Sequence, residues 1–380
     1  ADELDKVNNK IVPRMNYEID SRALRPFLKR NDLWWMGFTG RRPNNWNIYC
    51  NYYMLVTALL SGEDQKQNQQ VVDKSIRSAQ YFLAAYPSDG GCDEGPSYWN
   101  MAGGTFGMFV KTLSDVSGNK LDFSAHQKIH NMGSYIHKVH IDSNYFVNFA
   151  DASTLVSVDP AKVMAYGTMF NDPKLKAFAA YFFQQNWYKY KTVQADEINV
   201  FFHNLESAAI LLAQQPNTPL PANSWLPDLQ ILTSRQSAGS SKGLFFAAKG
   251  GHNAESHNHN DVGNFVLYLD GKPVVIDIGV GTYTKDTFNE NRWLIWNIRS
   301  LWHNCPLVNG IEQKNGAQFK AQKVSTTSGR QLEQFSLDLS KAYPPEAQVS
   351  QWLRNFEFDR RTQSLTITES YQLDKWLGPS

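Results

Sequence analysis

Through the first half of the chain, apolar residues recur at helical spacing between polar, Gly- and Pro-rich breaks. NYYMLVTALL (51–60) follows the polar Asn44-Asn45-Trp46-Asn47, and RSAQYFLAAY (77–86) stops before Pro87 and Gly90-Gly91. PAKVMAYGTMF (160–170) follows Asp159 and places Pro160 at the first helical position, where a missing N–H is tolerated. PKLKAFAAYFFQQNW (173–187) and EINVFFHNLESAAILLAQQ (197–215) keep the period. Helices recurring in this way predict a stacked or toroidal domain. The run QPNTPLPANSWLP (215–227), with four prolines, separates two textures. After it come short β-rich runs: GLFFAAKGG (243–251), GNFVLYLDG (263–271), PVVIDIGVG (273–281), QLEQFSLDL (331–339), LRNFEFD (353–359) and SLTITESYQL (364–373). Asp270-Gly271 between two of them is a hairpin signal. The expected fold is a two-domain α+β chain, helical over 1–220 and an antiparallel β-sandwich over 228–380.

Composition narrows the function classes. Lys plus Arg number 37 against 36 Asp plus Glu, a net charge of +1, which argues against a nucleic-acid-coating protein but leaves room for a local basic patch. Aromatic residues make up 13%, with 11 Trp, enough to line a groove for flat, partly polar ligands such as sugars as well as a core. Cys50, Cys92 and Cys305 are widely spaced and form no disulfide framework. No apolar run is long enough to span a membrane, and ADELDKVNNK lacks the pattern of a secretion signal.

Four segments could carry chemistry. The densest, 250–283, crowds His252, His257, His259, Asp261 and Asp277 into a polar loop and the hairpin after it. An extended backbone would put His257 and His259 on one side. His259, Asp277 and His303, from neighbouring strands, make a divalent-metal set with zinc first by ligand type; a polar loop with locally hydrogen-bonded imidazoles fits the same residues. RRPNNWNIYCN (41–51) offers Arg41 and Arg42 for sulfate or carboxylate, and Asn44, Asn45 and Asn47 as neutral donors or helix caps. Lys249 and Arg299 are further cations compatible with a sulfated chain. GGCDEGPSYWNMAGG (90–104) presents Glu94, Tyr98 and Trp99 from an ordered Gly-rich loop, and FVNFADAS (146–153) adds Asn148 and Asp151. His126, His130, His137 and His140 lack interleaved carboxylates and read as exposed helix histidines.

Asn-Asn-Trp-Asn, D-E-G-P-S-Y-W, S-H-N-H-N-D-V-G-N-F, V-I-D-I-G-V-G-T-Y and W-H-N follow one another across about residues 40–310. Together they resemble the heparinase II/III-like polysaccharide lyases. The resemblance implies an N-terminal α/α toroid, here beginning inside the toroid and so N-terminally incomplete, a C-terminal β-sandwich, and an active cleft between the two. It implies β-elimination on an acidic, uronate-containing polysaccharide, with heparin or heparan sulfate favoured, in a periplasmic or secreted setting. Tyr98 matches the family's catalytic tyrosine and His257 its catalytic histidine. Asn45, or its neighbour Asn44, matches the position that grips the uronate carboxylate. Asn47, Arg41, Arg42, Glu94, Trp99, Tyr283 and Arg292 are the expected substrate contacts. His259, Asp277 and His303 match a structural Zn2+ site.

That chemistry suits these residue types. The C5 proton of a uronate is weakly acidic, so the carboxylate charge must be damped, a base must take the proton and an acid must meet the leaving O4. Two alternatives stand beside the lyase. One is a glycoside hydrolase, which needs two carboxylates, with Glu94 and Asp151 as the pair. The other is a polysaccharide-binding protein without turnover.

Overall fold

A computed structural model describes residues 2–61, 64–186 and 198–378. Trp187 and Glu197, expected at helix ends, lie outside the described residues. The chain forms two compact units, Ala1–Tyr86 with Met101–Phe123, and Pro87–Asn100 with Ser124–Ser380. The proline-rich run 215–227 is where helix gives way to strand, and it falls inside the second unit.

The first unit is helical. Helix Asn45–Leu60 starts at an N-cap, Asn44, whose side chain accepts from the Trp46 N–H. It packs beside helix Gln65–Ala85 around Leu24, Phe27, Met36, Ala58 and Val71. Asn47 and Asn51 stitch the two helices together: both amides reach the Ser78 hydroxyl, and Asn47 also donates to the Trp35 carbonyl at 2.8 Å.

The second unit joins helices to sheets. Helices Gln127–Lys138, Pro160–Met169, Pro173–Asn186 and Ile198–Leu212 precede the strand-rich part. Asp159 caps the Pro160 helix, as the sequence implies. The short hairpin β1 (His140–Asp142) and β2 (Tyr145–Phe146) lies among the helices. A five-stranded antiparallel sheet follows, formed by β3 (Asn223–Leu226), β4 (Ile231–Arg235), β5 (Leu244–Lys249), β7 (Phe265–Leu269) and β8 (Lys272–Val275), in that order. β6 (His252–Asn253) pairs with β9 (Gly316–Lys320). A four-stranded antiparallel sheet comprises β10 (Gln322–Ser328), β11 (Leu332–Asp338), β12 (Val349–Asp359) and β13 (Ser364–Leu373). Burial alternates along β12, the mark of a strand with one face covered. Leu232, Phe246 and Ala248 of the first sheet share one core with Phe335, Leu337, Phe356 and Phe358 of the second. Each buried phenylalanine stabilises by roughly 1.5–3 kcal/mol relative to exposure.

The Asp270-Gly271 turn has both residues at positive φ, 50° and 72°, the geometry that matches strand twist in a tight hairpin. β8 then ends at Val275, earlier than the expected strand over 273–281. Residues 276–281 leave the ladder because the buried Asp277 needs partners other than a neighbouring strand, and Gly279 turns at φ 67°. A second correction concerns the histidines near 126–140. His137 and His140 are buried among aromatic rings, Phe178 touching both. Among the described residues no helix is long and apolar enough to cross a membrane.

Candidate functional site

Two loops and the end of a hairpin converge inside the second unit. Gly95 sits at φ 90°, and a Cβ there would meet the Phe149 carbonyl at 2.7 Å and the Ala152 Cβ at 2.8 Å. That close approach seats the four-residue helix Pro96–Trp99, which carries Tyr98, against the loop that carries Asp151. The loop after β6 supplies His257, itself at φ 57°. His257 is therefore not in an extended segment, and the expected side-by-side placement of His257 and His259 by strand alternation does not hold. Their rings converge for a different reason: both bind the same carboxylate.

Asp151 is that carboxylate. It is buried and receives hydrogen bonds from four side chains. His259 Nε2 lies 2.9 Å from Oδ1. His257 Nδ1 at 2.8 Å, the Tyr283 hydroxyl at 3.0 Å and Arg292 Nη2 at 3.1 Å all meet Oδ2. Burial raises the affinity of Asp151 for a proton, but the two imidazoles and the Arg292 charge outweigh burial and hold it well below the usual carboxylate range. Asp151 is thus a fixed anion.

Tyr98 joins this hub through Tyr283, the two hydroxyls lying 2.6 Å apart. The Tyr283 proton goes to Asp151, which can only accept, so Tyr98 donates to Tyr283. Burial pushes the Tyr98 phenol above its ordinary range, and the charges of Asp151 and Glu94 push the same way. Tyr283 is raised further, by burial first and then by Tyr98 and Asp151. The Tyr98 ring stacks obliquely on the His257 ring, centroids 4.5 Å apart. His257 Nε2 lies 3.5 Å from Glu94 Oε2.

A second cluster adjoins the first. His259, Asp277 and His303 are buried and bring one ligand atom each to within 4.8 Å of one another. His303 Nε2 faces the Asn297 carbonyl at 3.1 Å and must donate to it, which leaves Nδ1, 2.8 Å from Asp277, as its ligand atom. His259 Nε2 faces Asp151, and its buried Nδ1 has no hydrogen-bond partner. Each favours the other's charged form against burial, Asp277 being lowered by His303 and His303 raised by Asp277, and a bound metal would take the place of the proton on His303 Nδ1. An orphaned imidazole nitrogen beside a carboxylate and a second imidazole fits a divalent metal with nitrogen and oxygen ligands. The backbone is braced around them: Asn264 holds the Asp277 carboxylate, Asn148 its carbonyl, and Asn304 the carbonyls of Phe265 and Ile276.

Other expected contacts fall elsewhere. Trp99 is fully buried with its indole N–H on the Met132 carbonyl at 2.8 Å, so it is a core residue with no face for a sugar. Asn47 is likewise wholly buried, with its amide on Trp35 and Ser78. Arg292 is held inward by Asp151 and by the Asn258 carbonyl. Lys249 is buried between Asp261 and Glu255 and offers nothing to an external sulfate. Arg299 pairs with Glu312. In the first unit, Asn45 is buried in the first turn of its helix, Asn44 caps that turn, and Arg41 and Arg42 are exposed, Arg41 lying over the Trp34 ring. The residue that sequence reasoning undervalued is Asp151.

Residues 234–374 match the family model described as heparinase II/III-like, C-terminal. The crystal structure of heparan sulfate lyase HepC from Pedobacter heparinus is 15% identical and superposes with a TM-score of 0.60, over 86% of this chain and 45% of that one. A structure described as Heparinase III-BT4657 gene product, with methylated lysines, is also 15% identical, with a TM-score of 0.61 over the same shares. At such identity the likeness shows the fold, and the chain spans less than half the length of these solved proteins. No curated protein matches the chain.

Proposed function

We propose, on the premise of the match of residues 234–374 to the heparinase II/III-like C-terminal family model, that the chain carries the elimination centre of a polysaccharide lyase. The substrate class is an acidic, uronate-containing polysaccharide, with heparin or heparan sulfate first, as the names of the solved relatives suggest. We read the two facing sheets as a β-sandwich over 228–380, the helices of 1–220 as part of an α/α toroid, and the setting as periplasmic or secreted. The single observation that carries the reading is the Tyr98–His257 pair: a phenol and an imidazole with tilted rings 4.5 Å apart, both linked to one buried anion, the phenol through Tyr283.

The residues divide the work as follows. Asp151 holds the Nδ1–H of His257, which leaves Nε2 to take the C5 proton of the uronate. The imidazolium so formed lies between the carboxylates of Asp151 and Glu94, which stabilise its charge. Tyr98, kept protonated by its raised pKa, gives its proton to the departing O4; when product leaves, water takes the C5 proton from His257 and returns one to Tyr98, which restores the starting state. On the C5 epimer, whose proton faces the other way, Tyr98 and His257 exchange roles. Damping of the uronate carboxylate falls to Asn45 by resemblance. His259, Asp277 and His303 would hold Zn2+, which when bound supplies charge that ties the histidine loop to the segment after β8.

The product decides the matter. Incubation with heparan sulfate, chondroitin sulfate, hyaluronan and alginate, followed by mass spectrometry, is expected to give oligosaccharides with an unsaturated uronate end. Fragments that have gained water would establish the hydrolase instead. For the hydrolase, Asp151 is fixed as an anion by four donors and is a poor general acid, so that reading would require Glu94 as the acid.

A further inference from the structure

Asp151 touches both clusters, and its two oxygens are used differently. Oδ2 faces three donors, His257, Tyr283 and Arg292, while among the described residues Oδ1 faces only the imidazole of His259. The backbone is unusual on both sides of the contact. Ala150, just before Asp151, has φ 63°, and His257 has φ 57°, conformations that cost a residue with a side chain of order 1 kcal/mol and persist where their surroundings hold them. Here the carboxylate is the only group that binds both imidazoles among the described residues.

We propose that Asp151 is a positioning residue that sets both imidazoles at once, presenting His259 Nδ1 to a metal ion and His257 Nε2 to the substrate. The proposal rests on the reading of His257 as the reacting imidazole and of His259, Asp277 and His303 as metal ligands. A carboxylate only accepts, so the ring nitrogen facing each oxygen must carry the proton. For His259 that nitrogen is Nε2, and the lone pair is left on Nδ1, toward Asp277 and His303. For His257 it is Nδ1, and the lone pair is left on Nε2. Both choices are set by one carboxylate, each through its own oxygen, so the His259 tautomer follows from the Oδ1 contact and does not need the His257 contact.

Replacement by asparagine makes the idea sharp. Asp151→Asn keeps the shape but leaves one accepting oxygen and one donating NH2. The side with three donors takes the oxygen. The NH2 then points at His259 Nε2, which must offer a lone pair and move its proton to Nδ1. That proton faces Asp277 and His303 and blocks the metal.

The test is zinc affinity, measured on the full chain by competition with a chromophoric chelator and without any polysaccharide. Asp151→Asn is expected to weaken zinc binding by about 10–100-fold, the range for losing an outer partner of a metal-bound imidazole. His257→Gln, which leaves the Oδ1 contact in place, is expected to stay within about twofold of the unsubstituted protein, well short of that loss. Nitrogen-15 NMR of histidine-labelled, unsubstituted protein supplies a readout that needs no variant: His257 should carry its proton on Nδ1 and His259 on Nε2. Equal zinc affinity in Asp151→Asn and the unsubstituted chain, the opposite tautomer at either ring, or no zinc uptake at all would overturn the proposal. Loss of the lyase reading leaves these measurements untouched, because none of them involves substrate.

Discussion

Tyr283 accepts from the Tyr98 hydroxyl and donates to Asp151, so its oxygen is the only bridge from the phenol to the buried anion among the described residues. Tyr283→Phe keeps the ring, and with it the edge-on contact to Phe288, but leaves Tyr98 without its acceptor. The expected result is a fall in kcat of about 100-fold, the lower end of what a positioned proton-transfer group contributes, with KM nearly unchanged. Steady-state kinetics on the best substrate of the panel checks it; a rise in KM at constant kcat would make Tyr283 a simple sugar contact. At this scale the sequence was readable where residues cluster in it. Tyr98, His257, His259, Asp277 and His303 stand in distinctive short motifs. Asp151 does not: it lies 106 positions before His257 in an ordinary polar loop, and a contact across that distance leaves no period or spacing to detect. Trp99 erred the other way. Its neighbours are polar and Gly-rich, but its indole N–H finds a carbonyl inside the core.

The short helix Pro96–Trp99 depends on close backbone approach at Gly95. Gly95→Ala would force a Cβ against the Phe149 carbonyl and the Ala152 side chain, at a positive φ that alanine adopts poorly. A loss of about 1–3 kcal/mol in unfolding free energy is expected, read from the urea midpoint, together with lost activity as Tyr98 shifts. A stable variant with full activity would show that the loop does not hold Tyr98 in place. Elements with a clean period were legible: the helix after Asp159, the Asp270-Gly271 hairpin and the last strand, Ser364–Leu373, came out as the pattern implies. The strand expected over 273–281 ended early because apolar alternation continues past the point where Asp277 turns inward to its histidine. The sequence shows the alternation but not the competing hydrogen bonds.

At the scale of the molecule, stability should depend on two buried histidines. Burial lowers the pKa of His137 to about 3 and of His140 to about 4. Below the unfolded value of about 6.5, the unfolded chain takes up protons that the folded imidazoles refuse. The stabilisation is therefore complete above that pH and is lost as pH falls toward the folded values. Each histidine contributes a slope of about 1.4 kcal/mol per pH unit in that window. Urea unfolding between about pH 6.5 and 5, above most carboxylate titration, should show it, and His137→Gln should reduce the slope by up to about 1.4 kcal/mol per pH unit. An unchanged slope would mean that His137 takes up its proton without unfolding. The change of texture near residue 220 was legible because proline density and period shift together there; the grouping of residues 124–215 with the sheets was not, since it rests on packing between distant segments. The central claim is that Tyr98 and His257 perform an elimination, and it is tested most directly by ultraviolet absorbance on the polysaccharide panel, with the intact chain, Tyr98→Phe and His257→Ala side by side and circular dichroism confirming that all three fold. The account predicts a rise for the intact chain and none for either folded variant; undiminished absorbance from both variants would contradict it.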